Sequence, residues 1–300
     1  SVKAASKPTY VDDLVARFGE GSCEGIRVAV DLGGGAAITH AVPLLMRLGC
    51  EVTSLNDSYG IFNRRVDPVA DDLELLRKTV KHKGCDVGLG FDCDGDRLAI
   101  VDSAGRKRTG DFMLTLALSE MLASTGETKV VVSLDTTQAI DDVAKKRNAQ
   151  VFRSKVGEAN VVGMMKAKGA RLGGEGSSGG LIDGSFNYCR DSMLAALSII
   201  RALKTKGRLF YDSVPAYQQE RVALAIPKSK ALRGMGKLAR NHEGAETSDG
   251  LKLMLPGRSW VLIRPSGTED VVRVSSEAGT AERAEQIAKS FAKKLKELSG

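Results

Sequence analysis

Several features that mark common classes of protein are rare or missing in this sequence. Its 300 residues include three histidines and five cysteines, and no two cysteines form a CxxC pair. A zinc cluster is therefore not expected, and the odd number of cysteines favours free thiols in a reducing compartment. No apolar run approaches the roughly 20 residues of a membrane helix, and no charged-then-apolar leader opens the chain. We expect a cytoplasmic protein with no membrane partner.

Aromatic residues are also scarce, at 5% of the chain. The formal net charge is +7, but the basic residues are spread along the sequence and are not interleaved with aromatics. A surface that stacks nucleic-acid bases would need that interleaving. The positive charge therefore favours a small anionic substrate, and we expect no nucleic-acid partner.

What the sequence does contain is an alternation of β-branched runs with amphipathic stretches, punctuated by 33 glycines. This pattern is typical of an α/β protein up to about residue 212, after which strands surround a single helix and a long helical stripe ends the chain. It predicts two similar α/β domains, 1–105 and 106–212, followed by a smaller α+β C-terminal domain, 213–300. Residues 81–84 are interpreted as a basic turn and residues 206–213 as a linker.

The sequence FDCDGDR carries alternating aspartates, Asp92, Asp94 and Asp96, between two predicted strands. Alternate side chains of extended backbone project to the same side, and three converging carboxylates repel one another unless a cation neutralises them. Carboxylate oxygens as the only ligands favour Mg²⁺. An EF-hand is excluded, because it needs an acid where Ser103 stands. A phosphatase of the haloacid-dehalogenase type, with Asp92 as nucleophile and Asp94 as acid/base, remains an alternative.

Two further loops carry groups that suit a phosphorylated sugar. GGEGSSGG presents Glu175 with Ser177 and Ser178, and a carboxylate beside a hydroxyl suits vicinal sugar hydroxyls. RPSGTED presents the guanidinium of Arg264 and the backbone amides around Gly267, which suit a phosphate. It lacks the Gly-Lys-Ser/Thr ending of a nucleotide P-loop, so a phosphomonoester is predicted. A plain connection is the alternative for either loop.

In this order and at these separations, the three loops resemble those of the α-D-phosphohexomutase family. The family includes phosphoglucomutases, phosphomannomutases and phosphoglucosamine mutases. FDCDGDR is similar to its metal loop, GGEGSSGG to its sugar loop and RPSGTED to its phosphate loop. The resemblance covers essentially the whole chain and implies the second, third and fourth of the four family domains.

The resemblance also implies a role for each matching residue. Asp92, Asp94 and Asp96 would hold Mg²⁺, and Arg97 would support the phosphoryl group in transfer. Glu175 and Ser177 would select the sugar, with Ser178 left open as the contacting serine. The residues implied for the phosphate-binding end of the substrate are Arg264, Ser266, Gly267, Thr268 and Arg273.

One family feature has no counterpart here. The first domain of the family carries a TASHNP-like loop whose phosphoserine donates its phosphoryl group to a hexose 1- or 6-phosphate, and these 300 residues contain no such loop. Asp270 also stands where the family usually has proline. The resemblance therefore implies a mutase that works through a bisphosphate intermediate and is not competent without a phosphoserine domain. A non-catalytic phosphosugar-binding protein is the alternative, and glucose, mannose and glucosamine phosphates all remain open.

Overall fold

The computed structural model of the chain describes residues 9–266 and 271–299. These residues form two compact units, one of 9–136 with 140–214 and one of 137–139 with the described residues from 215 onward. None of the helices in the described ranges is long and apolar enough to span a membrane.

The first sheet of the first unit has three parallel strands and one antiparallel edge strand. Its strands lie in the order β2-β1-β3-β4 and are β1 (Arg27–Asp31), β2 (Glu51–Leu55), β3 (Val87–Phe91) and β4 (Leu98–Asp102). β1 pairs in parallel with β2 and β3, and β4 pairs antiparallel with β3. The accompanying helices are α1 (Tyr10–Phe18), α2 (Ala37–Arg47) and α3 (Glu74–Lys83). Strands β3 and β4 are buried along their whole length, as expected when both faces of a sheet are covered.

The second sheet of the same unit repeats this topology. Its strands lie in the order β6-β5-β7-β8 and are β5 (Lys129–Ser133), β6 (Gln150–Ser154), β7 (Leu172–Glu175) and β8 (Gly180–Asp183). β8 is again antiparallel, and the other neighbours are parallel. The helices are α4 (Gly110–Thr125), α5 (Ala139–Lys145), α6 (Glu158–Lys168) and α7 (Ser192–Lys206). The shared order and directions confirm the prediction of two similar α/β domains.

The second unit contains an antiparallel sheet packed against two helices. Its strands lie in the order β10-β11-β12-β9 and are β9 (Gln218–Leu224), β10 (Leu251–Leu255), β11 (Ser259–Pro265) and β12 (Val272–Ala278). The helices are α8 (Lys228–Arg240) and α9 (Ala281–Ser299). Met235 and Leu238 of α8 and Phe291 of α9 are buried in one cluster with the sheet. This confirms the smaller α+β unit at the C-terminal end.

Two local predictions were wrong. Residues 81–83 form the last turn of α3, where basic side chains are favourable, and the left-handed Gly84 ends the helix. Residues 206–213 are not a linker either, because α7 continues to Lys206 and a 3₁₀ helix at Arg208–Ser213 follows. Phe210 and Tyr211 hold that segment in the core, since both side chains are buried.

Candidate functional site

The acidic loop connects two neighbouring antiparallel strands, so the sheet fixes both of its ends. Residues 92–97 join β3 to β4, whose pairing extends to Phe91 and Leu98. One carboxylate oxygen from each of Asp92, Asp94 and Asp96 lies within 4.8 Å of the others. Gly95 reverses the chain between them with a φ of 77°, a conformation that favours glycine. The structure therefore brings the three predicted metal ligands together.

Asp92 is the most buried of the three, with 4% of its surface exposed. Burial raises its pKa to about 7, helped by the Asp96 and Asp94 carboxylates and opposed by the backbone N–H of Arg97, which donates to Asp92 at 3.1 Å. A divalent cation would favour the ionised form of such a cluster. Three converging carboxylates offer only hard oxygen ligands, and this donor set fits Mg²⁺.

Arg97 is the last residue of the acidic loop, and its side chain is anchored by a residue outside the loop. Its Nη1 is 2.6 Å from Oδ2 of Asp67, and its Nε is 3.8 Å from a carboxylate oxygen of Asp92 and of Asp96. The side chain is 37% exposed, so part of the guanidinium faces solvent. Arg97 belongs to the FDCDGDR motif, whereas Asp67 lies 30 residues away in the chain and no local pattern signals it.

A glycine-rich turn after β1 packs its backbone against the acidic loop. The N–H of Ala36 donates to the carbonyl of Cys93 at 2.8 Å, and a Cβ on Gly35 would lie 2.2 Å from that same oxygen. Only a residue without a side chain lets the two backbones approach this closely. Arg64 adds a further contact by donating to the carbonyl of Phe91, the last residue of β3.

The predicted sugar loop joins β7 to β8 through a 3₁₀ turn at Gly176–Ser178. Glu175 is buried and accepts a hydrogen bond from the N–H of Gly157 at 2.7 Å. Burial raises the pKa of Glu175, and the Gly157 amide opposes the change. The hydroxyl of Ser178 donates to the carbonyl of Glu175 at 3.3 Å, whereas that of Ser177 bonds to no residue that the structure describes.

One segment that sequence analysis assigned no role, residues 190–192, contacts the acidic loop. Nη2 of Arg190 pairs with Asp96, and its Nε lies 2.7 Å from Oε2 of Glu158. The hydroxyl of Ser192 donates to the carbonyl of Gly95. Arg190 and Asp96 are 94 residues apart, so no local sequence pattern signals the pairing.

The predicted phosphate loop is described only in part, within the second unit. Arg264 on β11 lies opposite Arg273 on β12, so both side chains project from the same face of the sheet. Nε of Arg264 is 2.9 Å from Oδ2 of Asp249, and the N–H of Ser266 donates to the carbonyl of Val271 at 2.8 Å. Gly267 and Thr268 lie outside the described residues, as does Asp270. Two cationic side chains on one face suit an anionic group.

Three family models match the chain in succession. Phosphoglucomutase/phosphomannomutase domain II matches residues 8–105, domain III matches 109–219 and the C-terminal domain matches 221–294. The probable phosphoglucosamine mutase of Methanothermobacter thermautotrophicus is 34% identical over 274 residues, which are 87% of this chain and 59% of that protein.

Solved structures have the same fold. A phosphoglucomutase/phosphomannomutase family protein from Burkholderia thailandensis matches with a TM-score of 0.80 at 23% identity, over 91% of this chain and 60% of that one. Aspergillus fumigatus N-acetylphosphoglucosamine mutase, solved in complex with GlcNAc-6P and magnesium, matches with a TM-score of 0.66 at 17% identity, over 100% of this chain and 68% of that one.

These comparisons decide against the haloacid-dehalogenase interpretation, since the matched family models together run through almost the whole chain. The chain spans about three fifths of the length of the curated relative. It belongs to the phosphoglucomutase/phosphomannomutase family, of which it contains domains II, III and IV.

Proposed function

We propose that this chain is the metal-, sugar- and phosphate-binding part of a phosphohexomutase. Such an enzyme interconverts hexose 1-phosphate and hexose 6-phosphate through a bisphosphate intermediate. The observation that carries the proposal is the convergence of Asp92, Asp94 and Asp96 beside a partly exposed Arg97. Membership of the family supports it. The domain boundaries proposed with it are 1–105, 106–212 and 213–300, and the compartment is the cytoplasm.

In this proposal Asp92, Asp94 and Asp96 hold Mg²⁺. When bound, the ion neutralises charge that develops on the phosphoryl group in transfer. Arg97 donates to that phosphoryl group, and its pairing with Asp67 at 2.6 Å fixes the stem of the side chain. A guanidinium suits this role because its planar fork matches the oxygens of a phosphoryl group.

The sugar is selected by Glu175 and Ser177. Glu175 is oriented by the Gly157 amide, so one of its oxygens is engaged and the other is available to a sugar hydroxyl. Ser177 is the serine proposed for the sugar, because the hydroxyl of Ser178 already bonds to a backbone carbonyl.

The phosphate that does not react is held by the C-terminal loop residues, namely Arg264, Ser266, Gly267, Thr268 and Arg273.

The phosphoryl donor proposed here is a phosphoserine on a further domain. The first unit exposes a surface suited to such a partner between residues 59 and 66, where Tyr59, Ile61, Phe62 and Val66 are 60%, 52%, 53% and 44% exposed. Apolar side chains grouped in this way are typical of an interface. The segment lies near the acidic loop, because the N–H of Gly60 donates to Gly34 at 2.9 Å in the glycine-rich turn that supports it. A domain seated there would lie beside the turn that contacts the acidic loop.

The experiment supplies the partner directly. The chain is mixed with the separately produced part of the Methanothermobacter relative that it does not match, together with Mg²⁺, a hexose bisphosphate primer and a hexose 1-phosphate. Glucosamine 1-phosphate is tested first because of the name of that relative, followed by the glucose and mannose compounds. We expect 6-phosphate to form, and Asp94→Asn to abolish its formation while Asp212→Asn, at an exposed carboxylate, preserves it.

Absence of turnover with all three sugars would contradict the mutase proposal. If calorimetry then detected Mg²⁺-dependent binding of the same hexose phosphates, a phosphosugar-binding protein would be the better description. If it detected none, both functions would be rejected.

A further inference from the structure

The carboxylates of the acidic loop repel one another, and the other residues of the loop offset that repulsion only in part. Three carboxylates within 4.8 Å of one another repel, and Asp94 and Asp96 are not buried. Arg97 offsets part of that repulsion, but its Nε is 3.8 Å from the carboxylates of Asp92 and Asp96. The spacing of the loop must therefore be held by contacts from elsewhere in the unit.

Besides the glycine-rich turn, Arg64 and Asp67, such contacts come from residues 190–192, which we call the bridging segment. Arg190 pairs with the carboxylate of Asp96, and the hydroxyl of Ser192 donates to the carbonyl of Gly95. Two neighbouring residues of the acidic loop are thus held by two residues of the bridging segment, one through a side chain and one through the backbone. Both donor side chains are confined by their surroundings, since Ser192 is buried and only 17% of the Arg190 side chain is exposed.

The bridging segment is itself firmly placed. Asp191 begins α7 by accepting a hydrogen bond from the N–H of Leu194 at 2.8 Å. The hydroxyl of Tyr10 donates to the same carboxylate at 2.7 Å, and the N–H of Asp191 donates to Leu181 of β8 at 2.8 Å. A capped helix, a strand and α1 therefore fix the backbone from which Arg190 and Ser192 reach the acidic loop.

The position of the Arg190 side chain also explains why residue 180 of the GGEGSSGG motif is a glycine. A Cβ on Gly180 would lie 2.3 Å from Cδ and 2.6 Å from Cγ of Arg190, so the stem of the arginine occupies the space of the absent side chain. Beyond that point, Nε of Arg190 reaches Glu158, which follows the Gly157 that orients Glu175. One guanidinium therefore connects the acidic loop with the support of the predicted sugar loop.

We propose that Arg190 and Ser192 are positioning residues that set the spacing of the acidic loop and thereby its selectivity among divalent cations. The proposal rests on the proposed function, because it takes Asp92, Asp94 and Asp96 as cation ligands. Mg²⁺ needs near-ideal geometry with oxygens at about 2.0–2.1 Å, whereas Ca²⁺ accepts irregular sites at about 2.3–2.6 Å. A loop held at one spacing discriminates between the two ions, and a loosened loop adapts to the larger one.

The test is the ratio of the Ca²⁺ and Mg²⁺ dissociation constants, measured by calorimetry on the whole chain. Both ions carry two charges, so the loss of the positive charge of Arg190 affects both constants alike and cancels in the ratio. We expect the preference for Mg²⁺ to fall by about fivefold in Arg190→Gln and in Ser192→Ala, the change expected for one lost hydrogen bond. Arg190→Lys should retain part of it.

Gly180→Ala provides a variant that leaves every charge in place. Its new methyl group displaces the arginine stem, so the preference for Mg²⁺ should fall as in Ser192→Ala. Arg201→Gln is the matched control, because Arg201 also lies on the α7 side of the unit and pairs with a buried carboxylate, that of Glu120 at 3.2 Å. Its ratio should equal that of the unmodified chain.

Three outcomes would overturn the proposal, and each can be told from the others. Unchanged ratios in Ser192→Ala and Gly180→Ala, with both ions still bound, would reject the positioning role and leave the proposed metal site standing. An unmodified chain that binds neither ion would reject the metal site and the positioning role together. Equal loss of preference in Arg201→Gln would reject the role as well, since general loosening of the unit would then account for the effect.

Discussion

Nε1 of Trp260 donates a hydrogen bond to Oε1 of Glu277 at 2.9 Å, and both side chains are fully buried. Two more donors reach this carboxylate within the second unit. The N–H of Gln138 bonds to Oε1 at 2.9 Å and the amide of Gln219 bonds to Oε2 at 3.0 Å. Glu277 therefore joins three separate segments of the unit. The structure thus gives Glu277 a structural role inside the second unit.

We expect Glu277→Ala to lower the free energy of unfolding of the second unit by about 3 kcal/mol, because two buried donors and one half-buried donor lose their acceptor. Trp260 is the sole tryptophan of the chain, so its fluorescence in a urea titration reports on this unit. Glu243→Gln, at an exposed carboxylate, is the control and should change stability by no more than about 0.5 kcal/mol. An unchanged urea midpoint in Glu277→Ala would contradict this account.

Asp183 is expected to make the first unit sensitive to acid. Burial opposes its ionisation, but the hydrogen bond from Arg171, those from Ser185 and the charge of Arg17 together lower its pKa below the usual range. A carboxyl whose pKa is lower in the folded state contributes stability above its unfolded pKa of about 3.9, and this contribution is lost as the pH falls through the folded pKa.

Asp183→Asn should therefore destabilise the first unit at pH 7 by about 3 kcal/mol, since the two arginines lose their buried partner. The difference from the unmodified chain should shrink as the pH falls below about 4. Circular dichroism during urea unfolding at several pH values measures both effects, with Asp212→Asn as the exposed control. A difference that did not depend on pH would rule out the charge of Asp183 as its source.

Substitution by alanine at two glycines should change the stability of the protein in opposite directions. At Gly35 the new Cβ would lie 2.2 Å from the carbonyl of Cys93, so the acidic loop must shift, and we expect weaker Mg²⁺ binding and a lower melting temperature. At Gly163, inside α6, a Cβ meets nothing within 4 Å. Gly163→Ala should therefore raise stability by up to about 1 kcal/mol, because alanine has the higher helix propensity. Equal melting temperatures for the two variants would contradict the close approach at Gly35.

The serine that contacts the sugar can be identified by paired substitutions. Ser178 already donates to the carbonyl of Glu175 at 3.3 Å, whereas Ser177 makes no hydrogen bond to the described part of the chain. We expect Ser177→Ala to weaken hexose-phosphate binding by about tenfold, as for one hydrogen bond to a ligand, and Ser178→Ala to change it by less than about threefold. Calorimetry with the hexose phosphate that binds most tightly measures both, and the reverse order would assign the sugar contact to Ser178.

The elements that were predicted well are those whose signal is local. The strands on either side of the acidic loop are short and continuously apolar, and the stripe of α9 repeats at helical spacing over 19 residues. The helix before Gly84 was not predicted, because it buries only Leu76 and Val80. Two apolar positions among lysines and a histidine are too few to show helical periodicity. Phe210 and Tyr211 were likewise taken for part of a linker, since two buried side chains in a 3₁₀ turn have no periodic pattern.

The chemical groups of each loop follow directly from the sequence, because they are neighbours in the chain. Asp92, Asp94 and Asp96 lie within five residues, so their convergence follows from one tight turn at Gly95 between paired strands. The contacts that hold that loop depend on the tertiary fold. Asp67, Arg190 and Ser192 contact it from 25 or more residues away in the chain, because the folding of the sheets and their helices brings distant segments together. Such contacts produce no pattern in the local spacing of residues, so they cannot be predicted from it.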